Sequence, residues 1–166
     1  MSVDRRRGRW QVGFVILVLL VLHFYARERV WQAPGSPDFL ILALLILAIR
    51  TQPGTAAVAG FVLGLMTDVL TPARFGAGAL AHTVVGYLAA WGRAVFFPDN
   101  LLVNAGLFAG GVWVRTLIQL LASGAAPAEL GRELAVWAPI QALTTAVAGV
   151  IVLVVFRNWL AIRVAE

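Results

Sequence analysis

Long apolar runs alternate with short polar or proline-bearing breaks along almost the whole chain. With roughly 17 to 25 residues taken as the length of a spanning helix, the pattern predicts six segments. They run from about Trp10 to Ala26, Asp38 to Ile49, Thr55 to Thr71, Ala77 to Phe97, Leu101 to Ala122 and Leu134 to Phe156. The second is short, and crosses a bilayer only as Phe39 to Arg50 with help from tilt or thinning. A five-span alternative makes that segment re-entrant. The expected fold class is an all-α integral membrane protein, a bundle of six transmembrane helices, or five in the alternative.

The breaks have a physical cause. Pro53-Gly54 separates the second and third segments, Pro72 ends the third, and Pro98-Asp99-Asn100 predicts a tight turn between the fourth and fifth. Proline has no N–H to donate, and lipid offers no substitute partner. PGSP at 34–37 is turn-like, and SGAAPAELGRE at 123–133 reads as a polar, small-residue loop.

Composition sharpens the picture. The 166 residues are 61% hydrophobic, whereas a soluble domain is about half apolar. One water-soluble core cannot hide that excess. The length suits a single polytopic transmembrane domain over 1–166 with a basic N-terminal tail at 1–9. The start, MSVDRRRGRW, leads into an apolar run of signal-peptide length. Bulky, charged ARERVWQ follows it in place of a small-residue cleavage site, so the run is read as a retained span. There is no cysteine, and His23 and His82 are the two histidines, which leaves no thiolate site and little for a metal cluster. No cofactor is expected.

The formal net charge is +5, and all thirteen basic residues are arginine. A nucleic-acid binder would gather that charge on one exposed face. Here the arginines flank apolar runs, so membrane lipid is the expected contact and nucleic acid is not. With six spans the termini share a side with Arg5, Arg6, Arg7, Arg9, Arg50, Arg93, Arg157 and Arg163; Arg27, Arg29, Arg74 and Arg132 lie on the other. The excess of arginine on the first side predicts cytoplasmic termini. Trp10, Trp91 and Trp159 then fall near the inner interface, and Trp31 and Trp137 near the outer one, as an aromatic belt would.

The third segment carries the candidate chemistry, in GFVLGLMTDVL at 60–70. Gly60 and Gly64 lie one above the other on a helix, and Asp68 continues the row. Small pairs let helix backbones approach closely. Gly106 and Gly110 form a second such pair in the fifth segment, so the third helix is expected inside the bundle, against the fifth. A carboxylate at mid-bilayer costs about 2.5–3.5 kcal/mol on insertion scales, so Asp68 needs a partner. At about 1.5 Å per residue, Asp68 and Arg115 both stand about 21 Å from the inner ends of their helices, and His82 stands about 9 Å in from an outer end. Asp68, His82 and Arg115 are therefore expected to form one intramembrane polar layer, in which Asp68 and Arg115 neutralise each other. The alternatives for Asp68 are capping of the loop 71–76, snorkelling to the outer surface, a proton or substrate site, or a partner-facing role. Asn104, Gln119 and Gln141 are further polar candidates within the spans.

Catalytic signatures are missing. There is no G-x-S-x-G, no H-E-x-x-H, no phosphate-binding glycine loop and no carboxylate pair at helical spacing within a span. Glu129 and Glu133, beside Arg132, read as a solvated face. The loops are too short for a soluble catalytic domain, and a non-enzyme is expected.

Three features in order carry a family resemblance. Pro37-Asp38 opens the leucine-rich PDFLILALLILAIR; Gly60-Phe61-x-x-Gly64-Leu65-x-x-Asp68 follows; Gly76-Ala-Gly78-Ala-Leu80 then opens the fourth span. In these the chain resembles the MreD family of bacterial rod shape-determining membrane proteins. The motif covers residues 37–80, and the last two spans add nothing distinctive. The resemblance implies a non-catalytic scaffold of the elongasome, the rod complex, in the bacterial inner membrane. Its implied partners are MreC above all, then MreB, RodA and a class B penicillin-binding protein, and its implied work is to couple the cytoplasmic filament to peptidoglycan synthesis in the cell wall. Gly60, Gly64, Asp68, Gly76 and Gly78 carry over as signature positions for packing or partner binding. The family fold is also similar to that of the S components of energy-coupling-factor vitamin transporters. Such a substrate-binding subunit is the rival reading, since its site also lies in the outer half. Against it, the first span, GFVILVLLVLHFY, lacks a clear Ala-x-x-x-Ala docking pattern.

Overall fold

The computed structural model describes residues 2–29 (side chains 10–25), 35–93, 100–157 and 159. The expectations that rest on Arg5, Arg6, Arg7, Arg9, Arg27, Arg29, Trp31, Arg163 and the Pro98-Asp99 turn lie outside the described backbone or side chains. The elements are α1 (Ser2–Arg29), α2 (Phe39–Ala48), α3 (Pro53–Leu70), α4 (Ala77–Arg93), α5 (Leu101–Ala122), α6 (Pro127–Arg132) and α7 (Ala138–Val155). A single 3₁₀ turn, Pro72–Arg74, follows α3, and a π turn, Glu133–Trp137, joins α6 to α7. The described residues are all-α, as a helical membrane protein requires.

The short second segment turns out to be the centre of the bundle. Among the ten residues of α2, only Leu47 escapes full burial. Its sequence, FLILALLILA, is apolar all round, and such a helix is stable only when protein surrounds it. α1, α3, α4, α5 and α7 all pack against it. Ten residues span about 15 Å, so α2 by itself covers only about half of a hydrocarbon core of roughly 30 Å.

The surrounding helices each offer it one stripe. On α1 the buried positions are Val15, Leu19 and His23, four apart. On α5 they are Asn104, Phe108, Val112, Thr116 and Leu120, and on α7 Ala138, Ala142, Thr145, Ala146, Gly149 and Leu153. Phe108 fills the hollow at Gly149, where a Cβ would come within 2.3 Å of its ring. Residues such as Val58, Phe61, Val69, Leu143, Val147 and Ile151 face outward, as lipid-facing positions should.

Among the described residues, three helices are long and apolar enough to cross a membrane: Pro53–Leu70, Leu101–Ala122 and the continuous Pro127–Val155. The last begins earlier than the expected loop at 123–133 allows. Pro127 sits in the first turn, where its missing N–H is no loss, and Glu129 lies near the positive helix end. Polarity was the wrong guide there, because Glu129, Arg132 and Glu133 sit comfortably on a helix end. Pro139, farther in, lacks an N–H to give; the π turn before it absorbs the mismatch.

The described turns sort to two ends. At one, Arg74 Nη2 and Glu129 Oε1 are 2.6 Å apart, tying the turn after α3 to α6. At the other, Trp159 meets Phe14 edge-on with ring centroids 5.9 Å apart, so the end of α7 lies beside the early part of α1. Arg50 and Arg93, closing α2 and α4, are also electrostatic neighbours.

Candidate functional site

Two buried aspartates organise the bundle, and each does so by starting a helix. The first N–H groups of a helix have no partner within it. In a membrane interior they need an acceptor from elsewhere, and a carboxylate also complements the positive end of the helix dipole.

Asp38 caps α2. Its Oδ1 accepts from the N–H groups of Leu40 and Ile41 at 3.1 and 3.2 Å. Its Oδ2 pairs with Nη2 of Arg115, from α5. Its own N–H donates to Oγ1 of Thr145 in α7 at 2.9 Å. His23 of α1 brings Nδ1 to 3.4 Å from Oδ1 of Asp38. Arg115 is held in turn by Gln119 Oε1 at 3.1 Å and Gln141 Oε1 at 3.2 Å. The approach to α2 is strapped to α7 as well: Gln141 Nε2 donates to Ser36 O at 3.2 Å, and Thr144 Oγ1 to Gly35 O at 2.8 Å. Three outer helices thus grip the start of the central one.

Asp68 caps α4. Its Oδ2 accepts from the N–H of Gly76 at 3.0 Å and of Ala79 at 2.8 Å, and its Oδ1 from Gly78 N–H at 2.9 Å. The side chain is fully buried. The glycines follow from this geometry. Gly76 has φ +93°, which favours a residue without Cβ. A Cβ on Gly78 would stand 2.4 Å from Asp68 Oδ1.

The small-residue face of α3 packs on α4. A Cβ on Gly60 would come within 2.2 Å of His82 O, and one on Gly64 within 2.4 Å of Gly78 O. From the other side, a Cβ on Gly86 would come within 2.6 Å of Ala56 O. The expectation that α3 packs on α5 is corrected here. Gly106 and Gly110 have open space where a Cβ would be, so they are no counterpart to Gly60 and Gly64.

The expected pairing of Asp68 with Arg115 is likewise corrected. Arg115 pairs with Asp38, and Asp68 turns its oxygens to three backbone N–H groups at and just before the start of α4. Depth along a helix carries no information about azimuth, and a helix start competes with a cation for a carboxylate. His82 is buried between the two systems and lies within electrostatic reach of Arg115, Asp38 and Asp68. Its Nδ1 is 2.8 Å from Gly78 O, the carbonyl one turn earlier. His82 Nε2 and Arg115 Nε are buried with no hydrogen-bond partner among the described residues.

Asp38, His23 and Thr145 went unrecognised as site residues. The available signal was the order of residue types: an aspartate just before an unbroken apolar run is a helix N-cap. Nothing in spacing could join it to Arg115, 77 positions on.

These features define a class: an all-helical membrane protein whose polar interior is spent on fixing helix starts. Among the described residues there is no cluster of three or more metal-ligating side chains. No solved structure matches the chain. Residues 4–161 of the 166 match the family model described as rod shape-determining protein MreD, and the chain belongs to that family. Its role therefore lies in determining rod shape.

Proposed function

We propose that the protein is a non-catalytic scaffold of the rod complex in the bacterial inner membrane. Its termini are cytoplasmic, and it couples MreB and MreC to the peptidoglycan synthases RodA and a class B penicillin-binding protein. The observation that carries this reading is the family match over nearly the whole chain. The whole chain acts as one polytopic membrane domain.

The mechanism rests on the two capping aspartates. Asp38 and Arg115 clamp α2 at the bundle's centre, and Asp68 with Gly76 and Gly78 shapes the turn between α3 and α4. That turn is joined to α6 through Arg74 and Glu129. The resulting outer surface is the one that meets MreC. Gly60 and Gly64 keep α3 and α4 close enough to present it, and Asp68 and the Asp38–Arg115 pair, with His82 between them, keep its register.

Co-purification tests this. The protein is tagged at its C-terminus, extracted from native membranes in mild detergent, and its companions are identified by mass spectrometry. Recovery of MreC with RodA or the transpeptidase is expected. Recovery of paired ATP-binding-cassette ATPases with a membrane coupling subunit would overturn the scaffold in favour of a transporter subunit.

A further inference from the structure

A cavity of about 300 Å³ opens between the ends of α2 and α4 and the beginning of α5. Its walls are Ile49, Gly92, Arg93, Val103, Asn104, Gly106 and Leu107. The lining is apolar apart from Arg93 and Asn104, and the Asn104 amide nitrogen is turned to Asn100 O at 3.1 Å. Its volume is at the lower end of the range for small-molecule sites, about 300–1,000 Å³. Val103, Gly106 and Arg93 are exposed, so the hollow reaches the lipid-facing side of the bundle.

One cation lines this hollow and a second adjoins it. Arg93 forms part of its wall, and Arg50 follows Ile49 directly and feels the Arg93 charge. Neither makes an ion pair with an acidic side chain among the described residues. Two guanidinium groups that repel each other beside an apolar slot, with no acidic partner among the described residues, suit an anion carrying a hydrocarbon tail. Basic pockets between membrane helices on the cytoplasmic side suit anionic headgroups.

We propose that this cavity binds an anionic phospholipid, with its phosphate between Arg50 and Arg93 and part of one acyl chain along Ile49, Val103, Gly106 and Leu107. The inference rests on the proposed orientation, which puts this end in the anionic inner leaflet. The lipid would fill the space between α4 and α5 and neutralise the two charges.

Native mass spectrometry of the full chain, exchanged into an equal mixture of phosphatidylglycerol and phosphatidylcholine, tests the site independently of orientation. Wild type is expected to retain phosphatidylglycerol in preference. The double variant Arg50→Gln/Arg93→Gln should lose that retention by about tenfold or more. Gly106→Leu should lose it too, because a side chain there grows into the cavity without meeting a neighbour. Gly110→Leu, one turn along with equally open space, should retain it. If Gly106→Leu fails to fold, Val103→Trp occludes the same wall. Equal retention of both lipids by wild type would overturn the proposal. So would undiminished retention in the folded cavity-filling variant, which would mean attraction to surface charge alone. A reporter fused to the C-terminus reads orientation separately, so a failure of the topology would not be mistaken for a failure of the site.

Discussion

Replacing Asp68 with alanine removes the acceptor for three backbone N–H groups at once. A buried polar group left unpaired costs about 1–3 kcal/mol. The Gly76 N–H is only partly buried and can find another acceptor, whereas those of Gly78 and Ala79 are buried. The loss is offset in part because a carboxylate no longer has to be desolvated. Two stranded groups cost about 2–6 kcal/mol together, and the offset brings the expected destabilisation of Asp68→Ala to about 2–4 kcal/mol. Asp68→Asn keeps one carbonyl oxygen and should lose about 1–3 kcal/mol. Reversible unfolding in mixed micelles, followed by far-ultraviolet circular dichroism, measures both. The adjacent, lipid-facing Val69→Ala is the control and should stay within about 0.5 kcal/mol of wild type. If Asp68→Ala unfolds together with that control, Asp68 does not hold the start of α4 and the reasoning fails.

Three further outcomes follow from the same geometry. Asp38→Asn and Arg115→Gln should each destabilise by about 3–5 kcal/mol, since each strands a buried partner. In a double-mutant cycle the pair should cost less than the sum, with a coupling of at least about 1 kcal/mol; additivity would mean the two do not interact. Gly64→Ala forces a Cβ to within 2.4 Å of Gly78 O and should cost about 1–3 kcal/mol, while Gly110→Ala should be close to neutral; unfolding midpoints for the two variants compare them directly. Thr145→Val removes the acceptor for Asp38 N–H and should cost about 1–2 kcal/mol in the same unfolding assay.

The linear layout of the bundle was legible because its punctuation is local. Asn100 and Leu101 mark the start of α5, and Pro53 and Pro72 bracket α3, through backbone chemistry that needs no neighbours. Gly60 and Gly64 were legible as close-packing positions for the same reason. The identity of the partner was not, since Gly64 meets Gly78 rather than the fifth helix only because the chain returns at once through Gly76. The polar site was half legible. Arg115 and Asp68 were recognisable as expensive residues in need of company. The competition between a cation and a helix start for each carboxylate is settled by helix azimuth, which the linear pattern does not carry. α2 was the hardest to place. A uniformly apolar decamer has no polar face to orient it, and only its neighbours reveal that it sits at the centre.

The most direct test of the central claim follows new peptidoglycan in cells of the source organism depleted of this protein, using a fluorescent D-amino acid. Sidewall insertion is expected to lose its organisation and cells to widen and round, and wild type re-expressed should restore both. Sidewall insertion and cell width unchanged after full depletion would contradict the claim.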